Sequence, residues 1–225
     1  MRFDIVTIFP QALDSYIKTS IIKRAQEKGI VSIGTTDIRA FSEDKHRKTD
    51  EPPYGGGPGM VMTPGPIFSA VESVTGVHVS RTKPKPRKRS AHVILLTPRG
   101  KRFTQKRAEE LAHDCEHIVF ICGRYEGIDE RVHENLVDEE ISIGDYVLSG
   151  GELAAMVVIE AVTRRIPCVL GKQESLAEET FTGGGKEYPH YTRPEDFRGW
   201  TVPKILLSGN HEKVQEWRTK KRSAK

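Results

Sequence analysis

Five apolar runs rich in β-branched residues, separated by helical patterns, are the feature that most constrains the fold of this chain. The runs are RFDIVTIF (2–9), VSIGTTDI (31–38), HVILLT (92–97), HIVFIC (117–122) and ISIGDYVL (141–148). The helical patterns cover about residues 12–27, 65–74, 104–113 and 151–165. Because parallel strands need a crossover between them, this alternation predicts an α/β fold with a mainly parallel sheet.

Length and composition indicate a globular protein. A chain of 225 residues can form one large domain, or one domain with a small appendage. Its residues are 36% hydrophobic and 29% charged, and no apolar run reaches the ~18 residues of a membrane span. Asp4 interrupts the first apolar run and no small-residue cleavage site follows, so we interpret this run as a first strand and not as a signal peptide.

The cysteine and histidine patterns predict neither disulfides nor a tightly held metal. Cys115, Cys122 and Cys168 form an odd set without C-x-x-C spacing, which favours a cytoplasmic location. The eight histidines are scattered and no H-E-x-x-H pattern occurs.

Positive charge is concentrated in two short segments. The net charge is +4, and the segments are RTKPKPRKRS (81–90) and RTKKRSAK (218–225). Such blocks suit nucleic-acid phosphates. For either segment alone, a solvated loop or a frayed tail is the favoured interpretation.

Composition changes after Pro167, which predicts the organisation of the chain. We expect an α/β domain over 1–168 and a flexible interdomain linker over 169–188, which is acidic at first and then rich in glycine. The remaining residues 189–225 form a small helical C-terminal region, with one helix capped near Ser208 or Asn210.

Two helix starts can be predicted in the α/β domain. Thr104 is the expected N-cap of a charged amphipathic helix. Ser149 and Glu152 have the spacing of a capping box, in which each side chain bonds the other's backbone amide. The helix that follows is apolar on almost every side, so we expect it to be buried in the core or against another subunit.

Three glycine-bearing segments follow strand candidates late in the sheet: LLTPRGK (95–101), CGRYEGIDER (122–131) and IGDYVLSGGE (143–152). Ligands of open α/β sheets lie beyond the carboxyl ends of the strands. The three segments therefore predict a pocket with backbone walls for a small planar ligand. None matches G-x-G-x-x-G or the P-loop motif. We interpret a fourth glycine cluster, PYGGGPGMVM (53–62), as a flexible surface turn.

A resemblance covers nearly the whole chain. The stretches FDIVTIFP, PYGGGPGMVM, CGRYEGIDERV, SIGDYVLSGGELAAMVVIEAVTRRIP, EYPHYTRP and LLSGNH are similar, in this order, to those of bacterial tRNA (guanine-N1)-methyltransferases. These enzymes form the TrmD family of the SPOUT methyltransferase superfamily. The resemblance implies a deep trefoil knot in the C-terminal part of the α/β domain, a feature that periodicity alone does not reveal.

The resemblance also implies S-adenosylmethionine as cofactor, held bent against the three glycine-bearing segments. The implied cofactor residues are Leu96, Thr97, Pro98, Gly100, Gly123, Tyr125, Glu126, Ile143, Gly144, Tyr146, Leu148, Gly150 and Gly151.

The implied reaction is methylation of N1 of the guanosine at tRNA position 37 when another guanosine precedes it. N1 carries a proton at neutral pH, so the reaction needs a carboxylate base, and charge building on O6 needs a cationic donor. The family pattern matches these roles to Glu179 and Arg164, with Glu178 and Glu187 as fallback bases. Arg165 stands where the family commonly has an apolar residue.

Further implications concern partners. Relatives are homodimers whose site combines two chains, and the C-terminal region binds tRNA. The implied tRNA-binding residues are Tyr54, Gly55, Gly56, Gly57, Glu187, His190 and Arg193. Relatives respond to magnesium, although no ligand cluster is visible in this sequence.

Two other functions remain open from the sequence. One is a non-catalytic RNA-binding or ribosome-assembly factor that uses the basic segments. The other is a methyltransferase of the same superfamily that acts on ribosomal RNA or on a ribose hydroxyl. The intact glycine-bearing segments and the pair Glu179 and Arg164 argue against the first. The segments PYGGGPGM and EYPHYTRP, which belong to the tRNA subgroup, argue against the second. The basic insertion 81–90 has no role in the tRNA methyltransferase interpretation.

Overall fold

The computed structural model describes residues 1–84, 90–171, 179–181 and 186–222. It separates into two compact units, Met1–Leu170 and Gly171–Lys225. Residues 85–89 of the basic segment and much of the predicted linker 169–188 lie outside the described residues, as does Glu178.

The first unit is built on a five-stranded parallel sheet. Its strands run in the order β2-β1-β6-β5-β7. They are β1 (Arg2–Thr7), β2 (Ser32–Asp37), β5 (His92–Arg102), β6 (His117–Cys122) and β7 (Glu139–Ser142). A small antiparallel pair, β3 (Asp50–Glu51) and β4 (Val61–Met62), flanks the glycine-rich segment 53–60.

Helices cover both faces of the sheet. They are α1 (Asp14–Ile17), α2 (Ser20–Glu27), α3 (Pro64–Thr75), α4 (Gln105–Asp114), α5 (Glu130–Asn135) and α6 (Glu152–Arg165). Short 3-10 turns occupy Pro10–Leu13 and Ile38–Phe41.

Alternate side chains of the central strands supply two separate cores. In β6, Phe120 packs with α2, α4 and α6 on one face, while Ile121 packs with α3 and α5 on the other. Both side chains are fully buried. A strand buried on both faces explains why the central runs are continuously apolar instead of alternating with polar residues. The predicted α/β class with a mainly parallel sheet is confirmed.

The predicted elements differ from the observed ones in three places. The helical pattern 12–27 splits into α1 and α2, because the backbone of Ser20 takes a left-handed φ of 52°. The fifth run ends as a strand at Ser142, so residues 143–148 turn away from the sheet. Helix α5 was not predicted, and its N-cap Asp129 accepts a hydrogen bond from the Arg131 amide.

Within one chain, helix α6 is buried on its inner side only, and burial of its outer side against another subunit stays a prediction. Its inward residues, such as Val158, Ile159 and Val162, are fully buried in the core. Leu153 and Val157 on its outer side are 67% and 48% exposed.

The second unit contains a hairpin and two helices among its described residues. Strands β8 (Asp196–Phe197) and β9 (Trp200–Thr201) pair in an antiparallel hairpin. Helix α7 (Lys204–Leu207) precedes α8 (His211–Lys221). The Asn210 side chain caps α8 by accepting from the Lys213 amide, so the predicted helix and one of its two candidate caps are confirmed.

Candidate active site

A cleft of about 240 Å³ lies at the carboxyl ends of the neighbouring strands β6, β5 and β7. The three glycine-bearing segments form its walls, as expected for an open parallel sheet. Its lining residues include Leu96, Thr97, Pro98, Arg99, Gly123, Arg124, Tyr125, Glu126, Ile128, His133, Ile143, Tyr146, Val147, Leu148, Ser149, Gly150 and Gly151.

Eleven of the thirteen residues implied to bind the cofactor line this single cleft. The two that do not are Gly100 and Gly144. A methyl group on Gly144 would collide with the ring of Tyr146, which does line the cleft. The structure thus brings the predicted residues together, while their contacts with a cofactor stay a prediction.

Gly151 lies where two chain segments touch through their backbones. A Cβ at this position would sit 2.8 Å from Cα of Cys122 at the end of β6. The Gly151 amide donates to the Gly123 carbonyl, and the backbones of Arg124 and Gly150 pair in an isolated antiparallel β-bridge. The turn into α6 therefore lies flush against the loop after β6, and only glycine fits there.

Gly100 has a similar role beside β7. The register between β5 and β7 shifts between Leu96 and Lys101, so residues 97–100 bulge out of the ladder. A Cβ on Gly100 would lie 2.5 Å from the amide nitrogen of Ile141. The bulge presents Thr97 and Pro98 to the cleft while the chain behind them touches β7 directly.

Tyr125 is held in an uncommon backbone conformation within the cleft. Its φ is 59°, in the left-handed region that aromatic residues rarely adopt. Its ring is half exposed, as is that of Tyr146 across the cleft. Strain of this kind is found at binding sites whose surroundings hold the residue in place.

A buried ion pair joins the loop after β6 to the start of α6. The Glu152 carboxylate is almost fully buried and accepts from Arg124 Nη2 at 2.9 Å. It also accepts from the Thr7 hydroxyl at the end of β1, at 2.6 Å. Arg124 in addition stacks on the ring of Phe9, with 4.6 Å from Cζ to the ring centroid.

This ion pair shows that the capping-box prediction was wrong. The N-cap of α6 is Gly151, and no side chain caps the helix. Ser149 instead accepts from Arg124 Nη1 at 3.4 Å, and Glu152 points into the core toward Arg124 and Thr7. A charged partner 28 residues away competes successfully with a local amide, because a buried carboxylate requires a counter-charge. Sequence reasoning did not identify Arg124, although its place in CGRYEG was the available signal.

Polar pairs also hold β7, which supports the third wall. His133 lines the cleft and bonds Glu140 at 2.7 Å. The neighbouring Glu139 accepts two bonds from Arg107 and lies 2.9 Å from His92. Burial alone would raise the pKa of Glu139, but the bonds to His92 and Arg107 outweigh it and lower this pKa to about 2.

The two arginines at the end of α6 have different surroundings. Arg165 pairs with Glu109 of α4 at 2.8 Å, and its side chain is 16% exposed. Arg164 is partly buried in the same last turn. Arg165 therefore helps to hold α6 against α4, and the role of Arg164 in chemistry stays a prediction.

Glu179 lies in the second unit, within a short described stretch of the predicted linker. Glu187 and His190 approach each other at 3.5 Å in the same unit. The His190 ring also packs against that of Tyr188. Arg193 is exposed.

The glycine-rich segment 53–60 is anchored to the wall of the cleft that residues 122–131 form. The Glu126 amide donates to the Met60 carbonyl, and the Met62 amide donates to the Gly127 carbonyl. At the tip of the segment, Tyr54 is fully exposed, and the implied tRNA residues Gly55, Gly56 and Gly57 all have positive φ. The segment is therefore a surface turn, as predicted, whose C-terminal end is held by backbone hydrogen bonds; its flexibility stays a prediction.

Two negative observations apply to the described residues. They contain no group of three or more His, Cys, Asp or Glu side chains placed to hold a metal ion. None of their helices is long and apolar enough to cross a membrane.

Comparison with known proteins connects this cleft to a family. A model of the family tRNA (guanine-1)-methyltransferase TrmD matches residues 1–225. A tRNA (guanine-N(1)-)-methyltransferase of Anoxybacillus flavithermus is 54% identical over 220 residues, which are 98% of this chain and 86% of the relative. Proteins of the same name from Bacillus cereus strain AH820 and Bacillus anthracis strain A0248 are 52% identical over the same shares.

Proposed function

The chain belongs to the tRNA (guanine-1)-methyltransferase TrmD family, and from this membership we propose that it methylates N1 of guanosine 37 in tRNAs that carry a guanosine at position 36. The family is one of tRNA methyltransferases, and its fold contains the trefoil knot that the resemblance implied. The proposal extends to the cofactor, the roles of Glu179 and Arg164, the homodimer and the contacts with tRNA. A tRNA substrate implies action in the cytoplasm.

The observation that carries the proposal is the convergence of three backbone-walled loops on one cleft. S-adenosylmethionine fits such a site, because close backbone packing at the glycines forms a cleft with backbone walls that can recognise an adenosine. Added side chains at Gly150 or Gly151 would collide with Arg124 or with Cys122. Leu96, Leu148 and Tyr146 offer apolar contacts in the same walls.

The chemistry needs two groups besides the cofactor. When bound, S-adenosylmethionine supplies an electrophilic methyl group. Glu179 would accept the proton of guanine N1, which leaves a lone pair on N1 as nucleophile. Arg164 would donate to O6, where negative charge builds as the proton leaves. Arg164 is chosen because it stands three residues before Pro167, the position of the arginine in the family pattern.

We also propose that the enzyme acts as a two-fold homodimer. The outer side of α6 and the loop before it expose three aliphatic side chains: Val147, Leu153 and Val157 are 82%, 67% and 48% exposed. Burying this patch in a self-complementary interface would remove it from water. In this arrangement Glu179 of one chain serves the cleft of the other. A monomer by light scattering at micromolar concentration that retains full activity would contradict the proposal.

Contacts with tRNA are proposed at two places. The surface turn with Tyr54 and Gly55 to Gly57 presents an exposed aromatic ring beside the wall of the cleft that residues 122–131 form. In the second unit, Glu187, His190 and Arg193 are exposed polar residues.

The direct test is identification of the product. The purified protein is incubated with S-adenosylmethionine and a tRNA transcript carrying guanosine at positions 36 and 37. Digestion and mass spectrometry should locate one added methyl group on N1 of guanosine 37. A transcript with adenosine at position 37 should gain none, and one with adenosine at position 36 should react more slowly. Binding of both tRNA and cofactor without any product would favour the non-catalytic alternative.

A further inference from the structure

The second unit exposes two aromatic rings on its hairpin. Phe197 and Trp200 lie directly opposite each other in β8 and β9, and they are 52% and 73% exposed. Their ring centroids are 6.4 Å apart, with planes inclined by 32°. Directly paired residues of a hairpin share one face, so the two rings form a single aromatic surface. We call Phe197, Arg198 and Trp200 the hairpin platform.

An arginine extends this surface. Cζ of Arg198 lies 5.2 Å from the centroid of the Phe197 ring, within cation–π range. The platform therefore presents π faces and a flat guanidinium side by side. Asp196 is committed elsewhere, because its carboxylate accepts from the Gly199 amide at 2.9 Å and holds the turn.

The turn holds Arg198 in an unfavourable conformation. Its φ is 58° and that of Gly199 is 87°, so both central residues of this two-residue turn have positive φ. Such turns prefer Asn or Gly at the first central position. An arginine there costs backbone energy that an asparagine would avoid, which points to a use for its side chain.

Two other aromatic residues of the unit are packed more closely than the platform rings. Tyr188 is buried beneath Arg218, and Trp217 makes an edge contact with Tyr191. Phe181 and Tyr191 are themselves 62% and 51% exposed, so Tyr188 and Trp217 are the rings that contribute to packing within the described part of the unit. The platform rings add little to it, because half or more of each stays in water.

From these observations we infer that the hairpin platform stacks an unpaired base of the tRNA substrate. Aromatic faces combined with arginine form the usual surface for single-stranded RNA, where every base offers a π face and the neighbouring phosphate attracts the cation. The described residues of the second unit carry nine Lys or Arg against six Asp or Glu, which suits a polyanion. The inference rests on the proposed function for its choice of tRNA, and it adds a recognition surface outside the cofactor cleft.

Fluorescence can test the platform directly, because the chain contains only two tryptophans. In the Trp217→Phe variant, emission comes from Trp200 alone, and saturating tRNA should quench it. A single-stranded oligonucleotide should do the same at higher concentration, while a blunt duplex of equal length should not. The reciprocal Trp200→Phe variant leaves the packed Trp217 as the reporter and should respond much less.

Affinity provides the second measurement. Trp200→Leu keeps an apolar side chain but removes the π face, so the Kd for tRNA should rise roughly 5- to 150-fold, with cofactor affinity unchanged. Trp200→Phe should bind nearly as the parent does. Leu207→Ala removes an exposed apolar side chain from the same unit and should leave the Kd unchanged.

Three outcomes would overturn the inference without touching the proposed function. In the first, the parent methylates guanosine 37 while Trp200 emission is unaffected by saturating tRNA. In the second, Trp200→Leu binds tRNA as the parent does. In the third, Trp200 emission changes with protein concentration alone, which would make the platform a contact between copies. Absence of methylation would instead count against the proposed function, and the fluorescence result would stand by itself.

Discussion

The packing around the cleft of residues 1–170 and the described surface of residues 171–222 use glycines in different ways. In the first, added methyl groups on Gly100 and Gly151 would collide with backbone at 2.5 Å and 2.8 Å. In the second, methyl groups on Gly171, Gly199 and Gly209 would meet nothing within 4 Å. The cleft is thus made by close backbone packing, whereas the second unit presents side chains on a loosely covered surface.

This difference predicts which properties change together. A substitution in the cleft wall disturbs the packing of the fold and the cofactor site at once, because the same backbone contacts make both. In the second unit, where Tyr188 is the only buried side chain among those described, chemistry and RNA recognition should be separable from stability.

The largest effect is expected at Glu179, the proposed general base in the second unit. Glu179→Gln keeps size and polarity but loses the basic carboxylate, so methyl transfer in single-turnover assays should fall roughly 10²- to 10⁴-fold. Cofactor affinity and Tm should not change. Glu179→Asp should retain much of the activity, because it keeps the carboxylate. If Glu179→Gln turns over like the parent while Glu178→Gln or Glu187→Gln is inactive, the base has been misassigned.

The next largest effect is expected at Arg164, and its neighbour Arg165 provides the comparison. Arg164→Ala should lower single-turnover methyl transfer roughly 10²- to 10³-fold, by loss of electrostatic stabilisation at O6. Arg165→Ala should mainly lower Tm, because it breaks the ion pair with Glu109. Equal losses of activity in both variants would mean that the two guanidinium groups share the role.

The ion pair between Glu152 and Arg124 in the cleft wall should contribute more to the free energy of unfolding than an exposed pair does. Glu152→Ala leaves Arg124 without its buried counter-charge and should lower the free energy of unfolding by about 3 kcal/mol in urea titrations. Glu130→Ala is the matched control, since it breaks an exposed pair with Arg99 beside the same cleft. That loss should be no more than about 1 kcal/mol. Equal effects would show that the pair with Arg124 contributes no more than a surface contact.

Backbone packing can be tested with a single methyl group. Gly100→Ala should lower the free energy of unfolding by about 1–3 kcal/mol, because β7 cannot yield as a side chain would. Gly65→Ala lies in the first turn of α3 with open space around it, and it should be neutral or slightly stabilising. A Gly100→Ala variant as stable as the parent would remove the contrast between the two units.

The smallest expected effect is the pH dependence of stability that Glu139 causes. The pKa of Glu139 is lowered to about 2 in the folded chain from an ordinary value of 4.5, so its stabilisation is present above the unfolded value and is lost as pH falls through the folded one. Glu139→Gln should be less stable than the parent by ~1–2 kcal/mol at neutral pH, and the difference should shrink between pH 5 and pH 2. A constant difference for Glu139→Gln would contradict the assignment.

The sequence alone determined the elements whose signals are local. Four strands were placed by their apolar runs, while the fifth run overlaps β7 only at Ile141 and Ser142. Thr104 and Asn210 act as the predicted caps of α4 and α8. Three glycine-bearing segments were correctly expected to meet at the carboxyl ends of the strands, because parallel strands bring those ends to one edge. Each of these conclusions depends on residues that are close in sequence or on a general rule of the fold class.

Only the tertiary structure decided the contacts between distant residues. The choice of Arg124 over a local amide as the partner of Glu152, the contact of Gly100 with β7, and the end of β7 at Ser142 all depend on which segments become neighbours. A carboxylate can cap a helix or bind a cation, and burial selects between them, because a buried charge needs a counter-charge more than a helix needs a cap. The sequence around Glu152 is compatible with both a helix cap and an ion pair, and the packing of the loop after β6 against α6 determines that the ion pair forms.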